Sequence, residues 1–168
     1  MKTLKFIALF SFLILFGCSK ESDKSYLDTA SNNLKNNNIT EAVNSYESLI
    51  KEYPKSDLVP EALYQLAVIY QNKMVKNLSE KESLQKAVDT YKNVYEKYPK
   101  NRRAPMSLFM SAFIMANDLH EFNEATETYN LFLKKYPKDE LASSAREELE
   151  HMGLTPEEIL KKKKSSDI

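Results

Sequence analysis

Ala42-Val43-Asn44-Ser45-Tyr46-Glu47-Ser48-Leu49-Ile50-Lys51-Glu52-Tyr53-Pro54 decides the fold, because its alanine, tyrosine and proline return twice more at the same internal spacing. The other copies are Ala87/Tyr91/Pro99 and Ala125/Tyr129/Pro137. Spacing is constant within each copy and variable between copies, which marks stacked structural units. Inside the quoted stretch, Ala42, Val43, Tyr46, Leu49, Ile50 and Tyr53 recur at helical spacing. Pro54 stops the helix, because proline lacks the amide proton and restricts the residue before it.

On either side the same plan continues. A first helix is expected over about 26–35, ending in Asn36-Asn37-Asn38, where asparagine can supply a left-handed turn. Asn38 with Glu41 reads as a capping box for a helix over 39–53, and Ser56 as a cap for one over 57–73, with Pro60 tolerated in its first turn. Ala67 and Ala87 lie 20 positions apart where Ala30 and Ala42 lie 12 apart, so eight residues are inserted, about two helical turns. Ser79-Glu80-Lys81-Glu82 reads as another capping box, which assigns most of the insertion to a long helix over 80–98 and leaves Met74–Leu78 as a protruding turn. Further helices are expected over 102–116 and 121–136. A thin apolar stripe over 139–152 (Leu141, Ala145, Leu149, Met152) suits a terminal cap that ends at Gly153. Thr155-Pro156-Glu157-Glu158 then opens a short helix before Lys161–Lys164.

The N-terminus carries a different signal. Lys2 and Lys5 precede an apolar run from Phe6 to Phe16 that stops at Gly17-Cys18. Eleven apolar residues extend only about 16 Å as a helix, about half a bilayer's hydrocarbon core, so the run reads as an export signal rather than a permanent span. Cys18 is the only cysteine in the chain. Four units follow: a signal peptide (1–17), a cysteine and short polar tether (18–25), a helical repeat domain (26–153) and a short helix with a lysine-rich tail (154–168). Removing residues 1–17 leaves a slight excess of acids over bases, which argues against nucleic acid as a partner. Two glycines in 168 residues, and no convincing alternation of apolar with polar residues, point to an all-helical chain.

The helix pairs resemble tetratricopeptide repeats: a small residue in the first helix (Ala30, Ala67, Ala112), then alanine, an aromatic and a helix-ending proline in the second. The resemblance implies an all-α solenoid of three helix pairs plus a C-terminal capping helix, and a protein that binds other proteins rather than an enzyme. Leu15-Phe16-Gly17-Cys18 resembles a bacterial lipobox, which implies cleavage before Cys18, covalent lipid on that residue and no other cofactor. Tyr53-Pro54-Lys55-Ser56 followed by Glu61-Ala62-Leu63-Tyr64-Gln65-Leu66-Ala67-Val68-Ile69-Tyr70 is similar to the envelope branch of the superfamily. That branch includes the lipoprotein subunit of the outer-membrane β-barrel assembly machinery and the periplasmic repeat protein associated with Tol-Pal. The implied setting is the periplasmic face of the outer membrane, or the outer face of a single membrane.

In such an array the first helices of successive pairs line the concave face. The resemblance therefore nominates Tyr64, Val68, Gln71, Met106, Phe109, Met110, Phe113 and Asn117 as a groove for a peptide segment of an envelope protein. Methionine suits grooves that adapt to varied apolar partners. The same residues also suit ordinary packing between pairs. His120 and His151 have few further ligands nearby in sequence, and no nucleophile setting or glycine-rich phosphate loop occurs, so no metal, catalytic residue or small-molecule substrate is expected. The alternative in another class is a small hydrolase or ligand-binding lipoprotein.

Overall fold

The structure is a computed structural model describing residues 21–155, 157–159 and 161. The expected signal peptide, Cys18 and Lys162–Lys164 lie outside the described residues. Seven α-helices follow one another among those described: α1 (Asp23–Lys35), α2 (Ile39–Glu52), α3 (Val59–Gln71), α4 (Glu80–Lys97), α5 (Ala104–Asn117), α6 (Phe122–Lys135) and α7 (Ala142–His151). Each helix packs on its successor, making the pairs α1–α2, α3–α4 and α5–α6, with α7 laid over α6. None of the described helices is long and apolar enough to cross a membrane.

The signature positions explain why the pairs close. Ala30, Ala42, Ala67, Ala87, Ala112 and Ala125 are all fully buried, so no side chain holds the two backbones of a pair apart. Tyr46, Tyr91 and Tyr129 fill the space beside them and are equally buried. An aromatic of this size removes about 150–250 Å² from water, a large share of each unit's stabilisation. Two apolar clusters result, one around α1–α3 and one running from α3 to α7; α3 contributes to both, so they are joined through the middle pair.

The turns between pairs are three copies of one device. Tyr53, Tyr98 and Tyr136 cap α2, α4 and α6 with nearly identical backbone angles (φ −126°, −129° and −127°; ψ 55°, 53° and 55°), outside the helical region that a following proline disfavours. Three residues after each tyrosine, the amides of Ser56, Asn101 and Asp139 bond back to its carbonyl. The side chains of Ser56, Asn101 and Asp139 then accept from the amide two residues on, at 3.1, 2.9 and 3.0 Å. Ser56 is thus a turn residue, and the expectation that it caps α3 fails: α3 begins at Val59, with Leu58 before it making no side-chain cap.

Other local signals fared unevenly. The Ser79–Glu82 capping box forms in both directions, and Thr155 and Glu158 exchange the same pair of bonds. The expected Asn38–Glu41 box is absent; Asn38 makes no side-chain cap, and its amide is drawn back to the Asn33 carbonyl at 2.8 Å by the left-handed Asn37 (φ 60°). With glycine so scarce, Lys73 (φ 55°) and His120 (φ 59°) serve the same purpose in the α3–α4 and α5–α6 turns. Met74–Leu78 does not protrude freely: Val75 packs on both apolar clusters and Leu78 on the larger one.

Candidate functional site

The first helices of the pairs leave a row of half-buried apolar side chains: Tyr64 and Val68 on α3, Met106, Met110 and Phe113 on α5. The other three nominated residues lie elsewhere. Phe109 is 7 % exposed and sits in the core, its ring edge-on to Tyr129 (5.5 Å) and Phe132 (5.8 Å) and stacked on Phe113 (6.3 Å). Gln71 accepts a hydrogen bond from the buried Tyr91 hydroxyl at 2.9 Å. Asn117 is exposed at the end of α5 and donates to Glu148 of α7 at 3.1 Å. The reason is register: α3 and α5 are each packed between the helices before and after them, so positions one place off the inward stripe are shared between core and surface.

An ion cluster anchors this row. Arg103, at the start of α5, donates two hydrogen bonds to Glu61 of α3, Nε to Oε2 at 2.8 Å and Nη2 to Oε1 at 2.7 Å. Its guanidinium lies 4.1 Å from the centre of the Tyr64 ring, which in turn meets Tyr91 edge-on. Arg102 adds a longer contact to Glu61 at 3.5 Å, and Gln65 donates to it at 2.9 Å. The Arg103 hydrogen bonds hold the Glu61 carboxyl below its ordinary range against the opposing effect of burial. The bidentate geometry locks two consecutive pairs in angle and fixes Tyr64. Sequence reasoning missed this pair because 42 residues separate its members and only the repeat register brings the two helix starts together.

Burial pushes the Tyr91 and Tyr129 phenols far above the ordinary tyrosine range, so both stay neutral donors. Their hydroxyls differ. Gln71 stands four residues after Ala67, and the equivalent position four after Ala112 is Ala116, which has no acceptor to offer. The Tyr129 hydroxyl is buried without a hydrogen-bond partner among the described residues.

Clefts open among the described residues along the two edges formed by the turns. One of about 420 Å³ lies between the α5–α6 turn and α7, with His120, His151, Glu147 and Glu148 on its walls. Its rim carries Phe122 and Leu154, which are 40 % and 37 % exposed. A second of about 560 Å³ separates the start of α2 from Met74–Asn77. A third, about 520 Å³, lies between the turns at Pro54 and Pro99. Among the described residues no group of three histidine, cysteine or acidic side chains is placed to hold a metal ion.

A comparison with protein families matches the tetratricopeptide repeat model to residues 24–56 and 61–101. No curated protein matches the chain. The matched residues cover α1 to α4, and α5–α6 repeats their geometry down to the tyrosine–proline turn at its end. Tetratricopeptide repeats typically form non-catalytic scaffolds that bind proteins or peptides. The match over α1 to α4 and the recurring geometry of α5–α6 are those of an all-helical solenoid of tetratricopeptide-like helix pairs, three of them here with a capping helix.

Proposed function

We propose that this protein is a lipid-anchored scaffold of the cell envelope that binds a segment of another envelope protein, in outer-membrane β-barrel assembly. The observation that carries the binding role is the row Tyr64, Val68, Met106, Met110 and Phe113, apolar side chains left half open along two first helices. Rigid helices of adjacent pairs present these residues, with the Glu61–Arg103 clamp setting the spacing between the two. A partner helix or extended strand covering the row gains about 25 cal/mol per Å² of apolar surface removed from water. The anchor reading rests on Leu15-Phe16-Gly17-Cys18, and the assembly reading on the Tyr-Pro-Lys-Ser flavour of the repeats. In this reading the lipid serves only attachment, and the protein contributes no chemistry of its own.

The test is mild crosslinking of the full-length protein in its native membrane, followed by mass spectrometry of what co-purifies. Recovery of the barrel-assembly core is the expected result. Recovery of Tol-Pal components or cell-wall enzymes instead would move the protein to envelope constriction. Turnover of a substrate by the purified protein would overturn the scaffold reading.

A further inference from the structure

The chain enters the solenoid at one particular edge. The backbone carbonyl of Glu21 accepts a hydrogen bond from the Tyr53 hydroxyl at 2.5 Å, and Asp23 accepts one from Ser56 at 2.5 Å. Both donors belong to the first proline turn. The second turn faces the first across the 520 Å³ cleft, and the third joins the second through the Tyr136 hydroxyl, which donates to the Pro99 carbonyl at 3.3 Å. The N-terminus and all three turns therefore share one edge.

That edge is basic where it opens. Lys55, Lys97 and Lys100 line the cleft against Asp57 on its wall and Asp23 bonded to Ser56, and all three lysines are exposed. Further along the edge Lys138 is exposed beside Asp139 and Glu140, and Arg102 is paired with Glu61, so the basic character is centred on the cleft. The α5–α6 turn at the opposite edge carries Asp118, Glu121 and Glu124.

Chain geometry then limits the distance to a membrane. Cys18 precedes Glu21 by three residues, which reach at most about 11 Å when fully extended. This is close to the Debye length of about 8 Å at physiological ionic strength. An acylated Cys18 would hold the proline-turn edge within the range at which lysines feel anionic headgroups.

Resting on the anchor reading above, we propose that the Tyr-Pro-Lys edge docks on anionic phospholipid, with Lys55, Lys97 and Lys100 contacting headgroup phosphates. The tether alone leaves the domain free to tumble; the lysines give it one orientation. The helices then stand away from the bilayer, α4 by about 27 Å along its 18 residues, and the Phe122–Leu154 cleft faces outward. A lysine near an anionic surface strengthens binding about fivefold, and the effect fades with salt.

The experiment uses the mature acylated protein in nanodiscs of phosphatidylcholine alone or of an equal mixture with phosphatidylglycerol. Intact mass reports acylation, and lysine acetylation footprints the surface. Acylated protein should show Lys55, Lys97 and Lys100 protected only in the anionic discs at low salt, with Lys35 and Lys76 labelled equally in both. The exposed triple variant K55E/K97E/K100E should keep its helicity, and Lys138, further along the same edge, should label equally in both discs. Acylated protein with even labelling in both discs would overturn the docked edge and leave the anchor standing. A native mass without acyl chains would overturn the anchor and the docking with it.

Discussion

Replacing Tyr91 and Tyr129 by phenylalanine in turn should change stability in opposite directions. Both rings are fully buried at equivalent positions of successive pairs, so the two substitutions remove the same atom from similar surroundings. Tyr91 donates to Gln71 at 2.9 Å, and a hydrogen bond of this kind contributes about 1 kcal/mol net. Tyr91→Phe should therefore cost about 1 kcal/mol, softened because Gln71 is only half-buried and can recover water. The Tyr129 hydroxyl has no partner among the described residues, and a buried unsatisfied donor carries a desolvation penalty of about 1–3 kcal/mol. Tyr129→Phe should remove that penalty and raise stability by about 1 kcal/mol. For a domain of this size each kcal/mol moves the melting temperature by about 4 °C. Urea unfolding of the two variants beside the parent, followed by circular dichroism, reads the difference. A second substitution checks the cause: Ala116→Gln places an amide where Gln71 stands in the preceding pair and should make Tyr129→Phe costly. Equal losses in both phenylalanine variants would refute the reasoning.

Other perturbations follow from the same geometry. Arg103 holds the folded-state pKa of Glu61 below the ordinary glutamate value of 4.5, so its contribution is complete above pH 4.5 and is lost as the pH falls through the folded value. Acid titration of stability should be steeper in the parent than in Glu61→Gln, which has no carboxylate to protonate. Ser79→Ala removes the hydroxyl half of the capping box, leaving the Ser79 amide bond to Glu82, and should cost about 1 kcal/mol by urea unfolding, with fraying confined to the first turn of α4 by hydrogen exchange. Phe109→Ala should cost about 3–5 kcal/mol because its ring fills the core between Tyr129 and Phe132. Phe113→Ser should cost less stability and more partner capture, since that ring is half open; equal stability losses in the two variants would assign Phe113 to the core as well.

The fold was legible because its rules are local. Alanine at the crossing points, tyrosine one turn on and proline eight residues later can be read from the order of residues alone, and the structure buries or bends each as its chemistry demands. The Ser79–Glu82 box was legible for the same reason, since its partners are three residues apart. The Asn38 box failed because a competing local device, the left-handed Asn37, claimed the Asn38 amide. Ser56 misled because a serine that bonds two residues ahead and a serine that caps a helix look alike in sequence.

The candidate groove was only partly legible. Spacing placed all eight residues on or near the first helices but could not say that Phe109 turns into the core or that Gln71 serves Tyr91. Those outcomes depend on which neighbouring helix stands opposite, which is set by the angle between pairs. The Glu61–Arg103 bond was invisible for the same reason. The proline-turn edge lay in plain view as three Tyr-Pro-Lys triplets, yet its meaning came only when Glu21 was found bonded to Tyr53.

The most direct test of the scaffold account is photo-crosslinking from single positions of the full-length protein in its native membrane. A photoreactive residue at Met110, on the row, is compared with one at the equally half-buried Thr90 of α4, outside the row. The account predicts a discrete adduct with a barrel-assembly protein from Met110 and none from Thr90. Adducts of equal yield from both positions, or none from either, would contradict it.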